Sequence, residues 1–227
     1  MSLSVLIPAY NERATIEELL RTVLTERIVT QVVIVDDGST DGTREFLEDV
    51  TETDDRVQVI LHAHNLGKGA AIRTALQHAT EDISIIQDAD LEYSPSDYAA
   101  VIQPILNGRC RVVYGSRVLC RDNEYPIDSF RVGSFVVTQL ANLLYGCRLT
   151  DEPTCYKAFE TALLKSLPLK ATGFELCPDL TAWVRKQGEP IIEVPIHYTK
   201  RTVAEGKKIR WQDGVIALWT LLRLRFQ

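Results

Sequence analysis

Residues 85–95 read IIQDADLEYSP, an apolar run that stops at Asp88 and Asp90, with Glu92 two positions further on. In an extended chain residues i and i+2 point to the same side, so the three carboxylates are expected to converge where a strand ends. Carboxylates at close quarters repel one another unless a cation or shared protons relieve them. A hard divalent ion, Mg²⁺ or Mn²⁺, is the natural partner, because it takes one or two carboxylates and fills its other positions with water and substrate phosphate. The competing reading is an acidic turn at the start of the helix that Ser94 and Pro95 announce.

Asp36 and Asp37 close another apolar run and lead into GSTDG, where Ser39 to Asp41 suit a turn and a helix cap while Asp37 is left to face a ligand. PAYNE, at residues 8–12, adds an aromatic ring and a carboxylate, fit to stack on a base and bind a nucleotide's polar groups, or in the case of Tyr10 simply to pack its loop. Two phosphate-binding alternatives fail. NLGKGAA lacks the leading glycine and the hydroxyl residue of G-x-x-x-x-G-K-[ST], and no G-x-G-x-x-G follows the first strand. A P-loop NTPase and a dinucleotide dehydrogenase are therefore disfavoured. His62, His64, His78 and His197 show no metal-ligand spacing and read as structural or surface residues.

The elements that must position these groups recur as runs rich in β-branched residues: SVLIPA (4–9), QVVIVDD (31–37), VQVILH (57–62), ISIIQDAD (83–90) and RVVYGS (111–116). Between them lie stretches of helical period, such as ERATIEELLRTVL with Ile16, Leu19, Leu20, Val23 and Leu24 on one face, KGAAIRTALQHA, and SPSDYAAVIQPIL. Alternating strands and helices predict an α/β fold with a mostly parallel sheet, and continuous apolar runs predict strands covered on both faces. Ligand sites in such sheets lie beyond the carboxyl ends of the strands, where nearly all the polar residues above fall. After about residue 129 the pattern changes to a long helical segment, SFRVGSFVVTQLANLLYG, then TCYKAF, the helical PDLTAWVRKQG, and PIIEVPIHY. No linker or internal repeat interrupts it, so one compact domain is expected. Glu175 and Asp179, i and i+4 on a probable helix, are compatible with reaching the site or with starting that helix.

With 227 residues, 45% of them hydrophobic, the chain has ample material for a core. Its five cysteines form no CxxC pair, which argues against a disulfide framework or zinc ribbon and suits a reducing cytosol. The chain opens on a strand-like run without a leader pattern, and no apolar run approaches the roughly 20 residues of a membrane span. From His197 to Gln227 there are seven basic and two acidic residues, or +5, so the net charge of -6 leaves -11 for the rest. Such a basic end either meets something anionic, phosphates or a lipid surface, or is simply a solvated charged end.

VLIPAYNE, VIVDDGSTDGT, HNLGKGAAIRTAL, DADLEYSP and VVYGSR, in this order, resemble the family 2 glycosyltransferases of GT-A fold. TDEPTCYKAF, GFELCPDLTAW, EVPIHYTKR and EGKKIRWQDGVIALW are similar to the polyprenyl-phosphate sugar transferases typified by dolichyl-phosphate mannose synthase, so the likeness covers essentially the whole chain. The resemblance implies one GT-A domain over 1–227, with a nucleotide-sugar-binding half (1–117) and an acceptor-binding half (118–227). It implies that Pro8, Tyr10, Glu12, Val35 and Asp37 hold the donor nucleotide, with Asp88, Ala89 and Asp90 beside its diphosphate and the metal. Glu92 joins that metal set at a position where relatives often carry glutamine. Arg117, Arg201 and Lys207 match cationic positions of the active site and join Asp90 as catalytic residues; Arg131, with Arg117, matches an acceptor-phosphate contact.

The expected activity is inverting transfer of a sugar from a nucleoside-diphosphate sugar, of GDP-mannose or UDP-glucose type, to a polyprenyl phosphate. The alternatives are a soluble hydroxyl or saccharide acceptor, or a catalytically silent nucleotide-sugar binding module. A phosphate acceptor is already anionic and needs cations rather than a general base, and arginine's planar fork suits it. Nucleic acid is not an expected partner, and no oligomeric state is assigned. In the tail, Ile216, Leu218, Trp219, Leu222, Leu224 and Phe226 alternate with Arg223 and Arg225. That helix suits either an anionic membrane surface or burial against the rest of the protein. The expected location is the cytoplasm, with peripheral contact at the membrane face as an option.

Overall fold

The apolar runs become the strands of one sheet. The computed structural model describes residues 2–50, 54–124, 128–201, 208 and 210–227. Among these, seven strands, β1 (Leu3–Ala9), β2 (Val29–Asp36), β3 (Val57–Leu61), β4 (Ile83–Ile86), β5 (Val112–Ser116), β6 (Lys157–Glu160) and β7 (Ile192–Pro195), lie in the order β3-β2-β1-β4-β6-β5-β7. Every adjacent pair is parallel except those made by β6, which runs antiparallel to both β4 and β5. The sheet is thus mostly parallel, and residues 1–117 and 118–227 share it, because β6 from the second half separates β4 from β5 of the first.

Eight helices complete the chain among the described residues: α1 (Ile16–Thr25), α2 (Thr43–Val50), α3 (Lys68–His78), α4 (Tyr98–Leu106), α5 (Ser129–Tyr145), α6 (Thr161–Ser166), α7 (Leu176–Lys186) and α8 (Trp211–Arg225). Successive strand residues face opposite sides, so Val5 and Ile7 join Leu19, Ile34 and Ile102 in one core, while Leu6 joins Val35, Ile72, Leu163 and Leu180 in the other. The central strands are buried on both faces as their composition predicts. β3 is not: Gln58 is exposed and Leu61 is 39% exposed, because β3 is an edge strand. A third cluster, Val137, Ala141, Tyr145, Leu221 and Leu224, holds α5, α7 and α8 together. α5 begins where the Asp128 carboxylate accepts from the Arg131 amide at 2.9 Å and ends on Gly146, whose φ of 62° is the left-handed cap that glycine adopts freely.

Candidate functional site

The carboxyl ends of β1, β2 and β4 meet where the strand order reverses, between β1 and β4, which is where a doubly wound sheet opens a crevice. Tyr10, Glu12, Asp37 and Asp88 leave those ends and line a cleft of about 990 Å³. The first two turns of α5 and α8 contribute Phe130, Ser134, Gln212 and Ile216, and the segment after β7 contributes Tyr198, Lys200 and Arg201.

The floor is acidic. Asp88 pairs with the Nζ of Lys68, the first residue of α3, and the same Nζ donates to Cys155 Sγ at 2.8 Å. Burial works against the Lys68 ammonium, but attraction to Asp88 outweighs it and holds the pKa well above the ordinary lysine value. α3 can start this close because Gly67 has φ +94° and no side chain; a Cβ there would stand 2.3 Å from the Thr172 carbonyl oxygen. Asp90 is pushed up to about 7, by burial first and then by the charges of Asp88 and Glu92.

The expected convergence of three carboxylates is only partly met. β4 ends at Ile86, so Asp88 and Asp90 lie in a turn rather than on an extended strand, and Leu91 takes φ 62°, a left-handed conformation unusual for its side chain. Glu92 still lines the cleft beside them, and its amide donates to Asp90 Oδ1 at 3.1 Å. Its Oε1 accepts from the Arg201 amide at 3.0 Å and from Tyr198 Oη at 3.4 Å, and its carbonyl accepts from the Thr199 amide at 2.9 Å. Among the described residues, only Cys120, Asp122 and His197 bring three metal-ligand atoms within 4.8 Å of one another. In this arrangement Glu92 Oε1 is engaged by the segment after β7, and the three carboxylates do not gather within that distance.

The other residues singled out in the sequence sort by partner. Pro8, Tyr10, Glu12, Asp37, Ala89, Arg117 and Arg201 all line the cleft. Glu12 is buried and gathers cations: Arg201 Nη1 donates to its Oε2 at 3.0 Å and Lys208 Nζ to its Oε1 at 2.6 Å, with Lys208 also 5.6 Å from the Tyr10 ring centroid. Asp37 spends its oxygens on the amides of Leu66 and Gly67, at 2.9 and 2.8 Å, and on the His62 ring at 2.7 Å, so it shapes the loop that precedes α3. Arg117 is held by a two-pronged pair to Asp151, with Nε and Nη2 at 2.8 and 2.7 Å, and its guanidinium lies 5.2 Å from the Tyr198 ring centroid. Burial would raise the Asp151 pKa, but the charge and hydrogen bonds of Arg117 hold it below the ordinary aspartate range. Val35 is fully buried in the core and does not reach the cleft surface. Arg131 sits in the first turn of α5, off the cleft lining. Lys207 lies outside the described residues. Glu175 and Asp179 cap a turn: Glu175 accepts from the amides of Thr172 and Gly173, and Asp179 from those of Lys170 and Ala171.

The charge of Asp88 helps push up Asp90, and the two carboxylates offer only oxygen ligands, which fits a hard divalent cation. Asp88 and Asp90 are the residues that would hold it.

The Glycosyl transferase family 2 profile matches residues 4–167. The chain belongs to this family. Over 97% of its length it is 33% identical to the UDP-N-acetylglucosamine--dolichyl-phosphate N-acetylglucosaminyltransferase of Methanococcus voltae, covering 94% of that protein. It is 26% identical to the undecaprenyl-phosphate mannosyltransferase of Micrococcus luteus, with 99% of both chains covered. Among solved structures, glucosyl-3-phosphoglycerate synthase from Mycobacterium tuberculosis in complex with Mn²⁺, UDP and glucosyl-3-phosphoglycerate superposes with a TM-score of 0.74 at 23% identity, over 99% of this chain and 80% of that one. The protein is thus a glycosyltransferase with the GT-A fold, and its relatives include polyprenyl-phosphate glycosyltransferases.

Four residues of this family 2 enzyme were not singled out from sequence. Lys68 was visible only as part of a phosphate loop that failed to match, and its pairing with Asp88 depends on how α3 meets β4. Lys208 and Lys200 carry signals in their neighbours: each adjoins a basic residue that was selected, Lys207 and Arg201. Asp151 lies 34 positions from Arg117, and nothing local announces the pair.

Proposed function

We propose that this glycosyltransferase moves a sugar, with inversion at the anomeric carbon, from a nucleoside-diphosphate sugar to a polyprenyl phosphate at a membrane surface. The observation that carries this reading is one cleft in which an acidic floor, Asp88 and Asp90, faces Arg117, Lys200, Arg201 and Lys208 and is bordered by two helices with bare apolar faces. On α5, Phe130, Val132, Phe135 and Val136 are exposed, and on α8, Trp211, Val215, Ile216 and Trp219. Exposed apolar surface next to cations suits a ligand with a phosphate head and a hydrocarbon tail. No described helix is long and apolar enough to cross a membrane. The lipid-phosphate acceptors named for the Methanococcus and Micrococcus relatives support the acceptor side. The UDP and Mn²⁺ of the synthase complex support the donor side.

In this proposal Tyr10 stacks on the donor base, and Asp88 and Asp90 would hold Mg²⁺ or Mn²⁺. When bound, that ion acts as a Lewis acid that stabilises charge on the departing diphosphate. Arg201 and Lys208 exchange Glu12 for the same phosphates, and Arg117, fixed by Asp151, orients the acceptor phosphate. No general base is needed, because the acceptor oxygen is already anionic.

The test offers radiolabelled nucleotide sugars with polyprenyl phosphate in vesicles, or with 3-phosphoglycerate, in the presence of Mg²⁺ or Mn²⁺. Label is expected in a chloroform-soluble product. Label moving into phosphoglycerate or a saccharide, and not into lipid, overturns the acceptor; no transfer from any donor overturns the whole reading.

A further inference from the structure

Outside the cleft, the chain after β5 and the chain after β7 bring together a thiol, a carboxylate and an imidazole. The ligand atoms of Cys120, Asp122 and His197 lie within 4.8 Å of one another. Cys120 is half-buried, while Asp122 and His197 are exposed, so an ion has open access. All four ligand-type residues around this point, counting Asp97 beneath it, lie far apart in sequence except Cys120 and Asp122, so the grouping is a product of the fold.

His197 is also oriented. The buried carboxylate of Asp97, at the start of α4, takes the His197 Nδ1 at 2.8 Å and the His197 amide at 2.7 Å. A carboxylate on one ring nitrogen favours the tautomer whose other nitrogen, Nε2, keeps its lone pair, and this arrangement backs most histidine metal ligands. A partner chosen only to anchor the backbone would have no need to engage the ring.

We propose that Cys120, Asp122 and His197 form a second metal site, separate from the Asp88–Asp90 floor, that takes a borderline-soft divalent ion of the Zn²⁺ class with solvent in the fourth position. Sulfur and imidazole nitrogen select such an ion over Mg²⁺, which prefers oxygen ligands. Binding exchanges the Cys120 thiol proton for the metal. The location gives occupancy a mechanical meaning. Asn123 already bridges the two segments, its Nδ2 donating to the carbonyls of Arg117 and Ile196 at 2.9 Å each and its Oδ1 accepting from the Tyr198 amide at 2.9 Å. A metal one step away staples the chain that carries Arg117 to the chain that carries Tyr198 and Arg201. This proposal does not depend on the identity of donor or acceptor.

The test titrates the full chain with Co²⁺ as a spectroscopic stand-in for Zn²⁺, in excess Mg²⁺. A thiolate-to-cobalt charge-transfer band is expected to saturate at one equivalent and to vanish when Zn²⁺ is added. Cys120→Ser and His197→Gln, both at solvent-accessible positions, abolish the band, and Asp97→Asn weakens Co²⁺ binding about 10–100-fold, as loss of an outer-shell partner does. Asp90→Ala and Cys155→Ser leave it unchanged. Absence of a band in the wild type, or a band that survives Cys120→Ser and is lost in Cys155→Ser, overturns the proposal.

Discussion

The two sides of the cleft are built differently. The acidic side, at the tips of β1, β2 and β4, is held by the sheet itself: Asp37 is locked by main-chain amides and Asp88 by the first residue of α3. Apart from Arg117, just after β5, the cationic side comes from the second half of the chain, and its members are docked by side-chain ion pairs. Arg201 and Lys208 rest on Glu12, Lys200 pairs with Asp128, and Arg117 rests on Asp151. A rigid acidic floor preorganises one charge pattern, while cations on exchangeable partners can close over a ligand and let it go. Arg117 is the strongest exception, since its pair is buried as deeply as the floor, with side chains 10% and 1% exposed.

That exception gives the largest expected effect. Asp151→Ala removes the carboxylate that grips a buried guanidinium through both prongs and is expected to destabilise the fold by about 3–5 kcal/mol in denaturant unfolding. A depressed aspartate pKa contributes stability that is present above the ordinary value of about 3.9 and is lost as pH falls through the lower folded value. The variant should lose that acid-limb dependence, and an unchanged acid limb would place the stabilisation elsewhere. Next, Asp90→Ala should lower kcat by about 10²–10³-fold, the scale for losing one transition-state stabiliser, and remove the Mn²⁺-dependent part of the thermal shift given by nucleoside diphosphates. Retention of that part would mean that the floor does not hold the ion.

Glu12→Gln probes the exchangeable side. Losing hydrogen bonds to a charged acceptor should weaken docking of the segment after β7 by about 2 kcal/mol, seen as faster amide exchange at Thr199 and Arg201. If exchange there is unchanged, Glu92, Asn123 and Asp128 hold the segment without Glu12. The smallest effect is expected outside the cleft. Trp219→Ser, at a side chain 63% exposed, should reduce partition onto anionic vesicles about tenfold, close to the 1.5 kcal/mol of burying one large apolar side chain, while stability moves by less than about 0.5 kcal/mol. Equal partition of variant and wild type would remove α8 from the membrane contact.

The five strands of the first half were legible because burial on both faces writes itself as unbroken Val and Ile runs. The direction of β6 was not, because KAF carries no mark of which neighbours it joins; that follows from pairing Ile83 with Glu160 and Val112 with Phe159 across the sheet. Asp88, Asp90, Tyr10 and Glu12 could be found from their position after strands. Glu92 could not be placed by counting, since a single left-handed residue, Leu91, undoes the alternation on which the count relied. α8 meets the burial reading with Leu221 and Leu224, which pack inward, while Trp219 and Phe226 are exposed.

The antiparallel β6 also sets a width. Neighbouring strands stand about 4.8 Å apart, so one strand inserted between β4 and β5 moves the tip bearing Asp88 about 10 Å from the tip bearing Arg117. Direct pairing of β4 with β5 would halve that gap. The inserted strand therefore sets how far apart the acidic and cationic tips of the sheet stand.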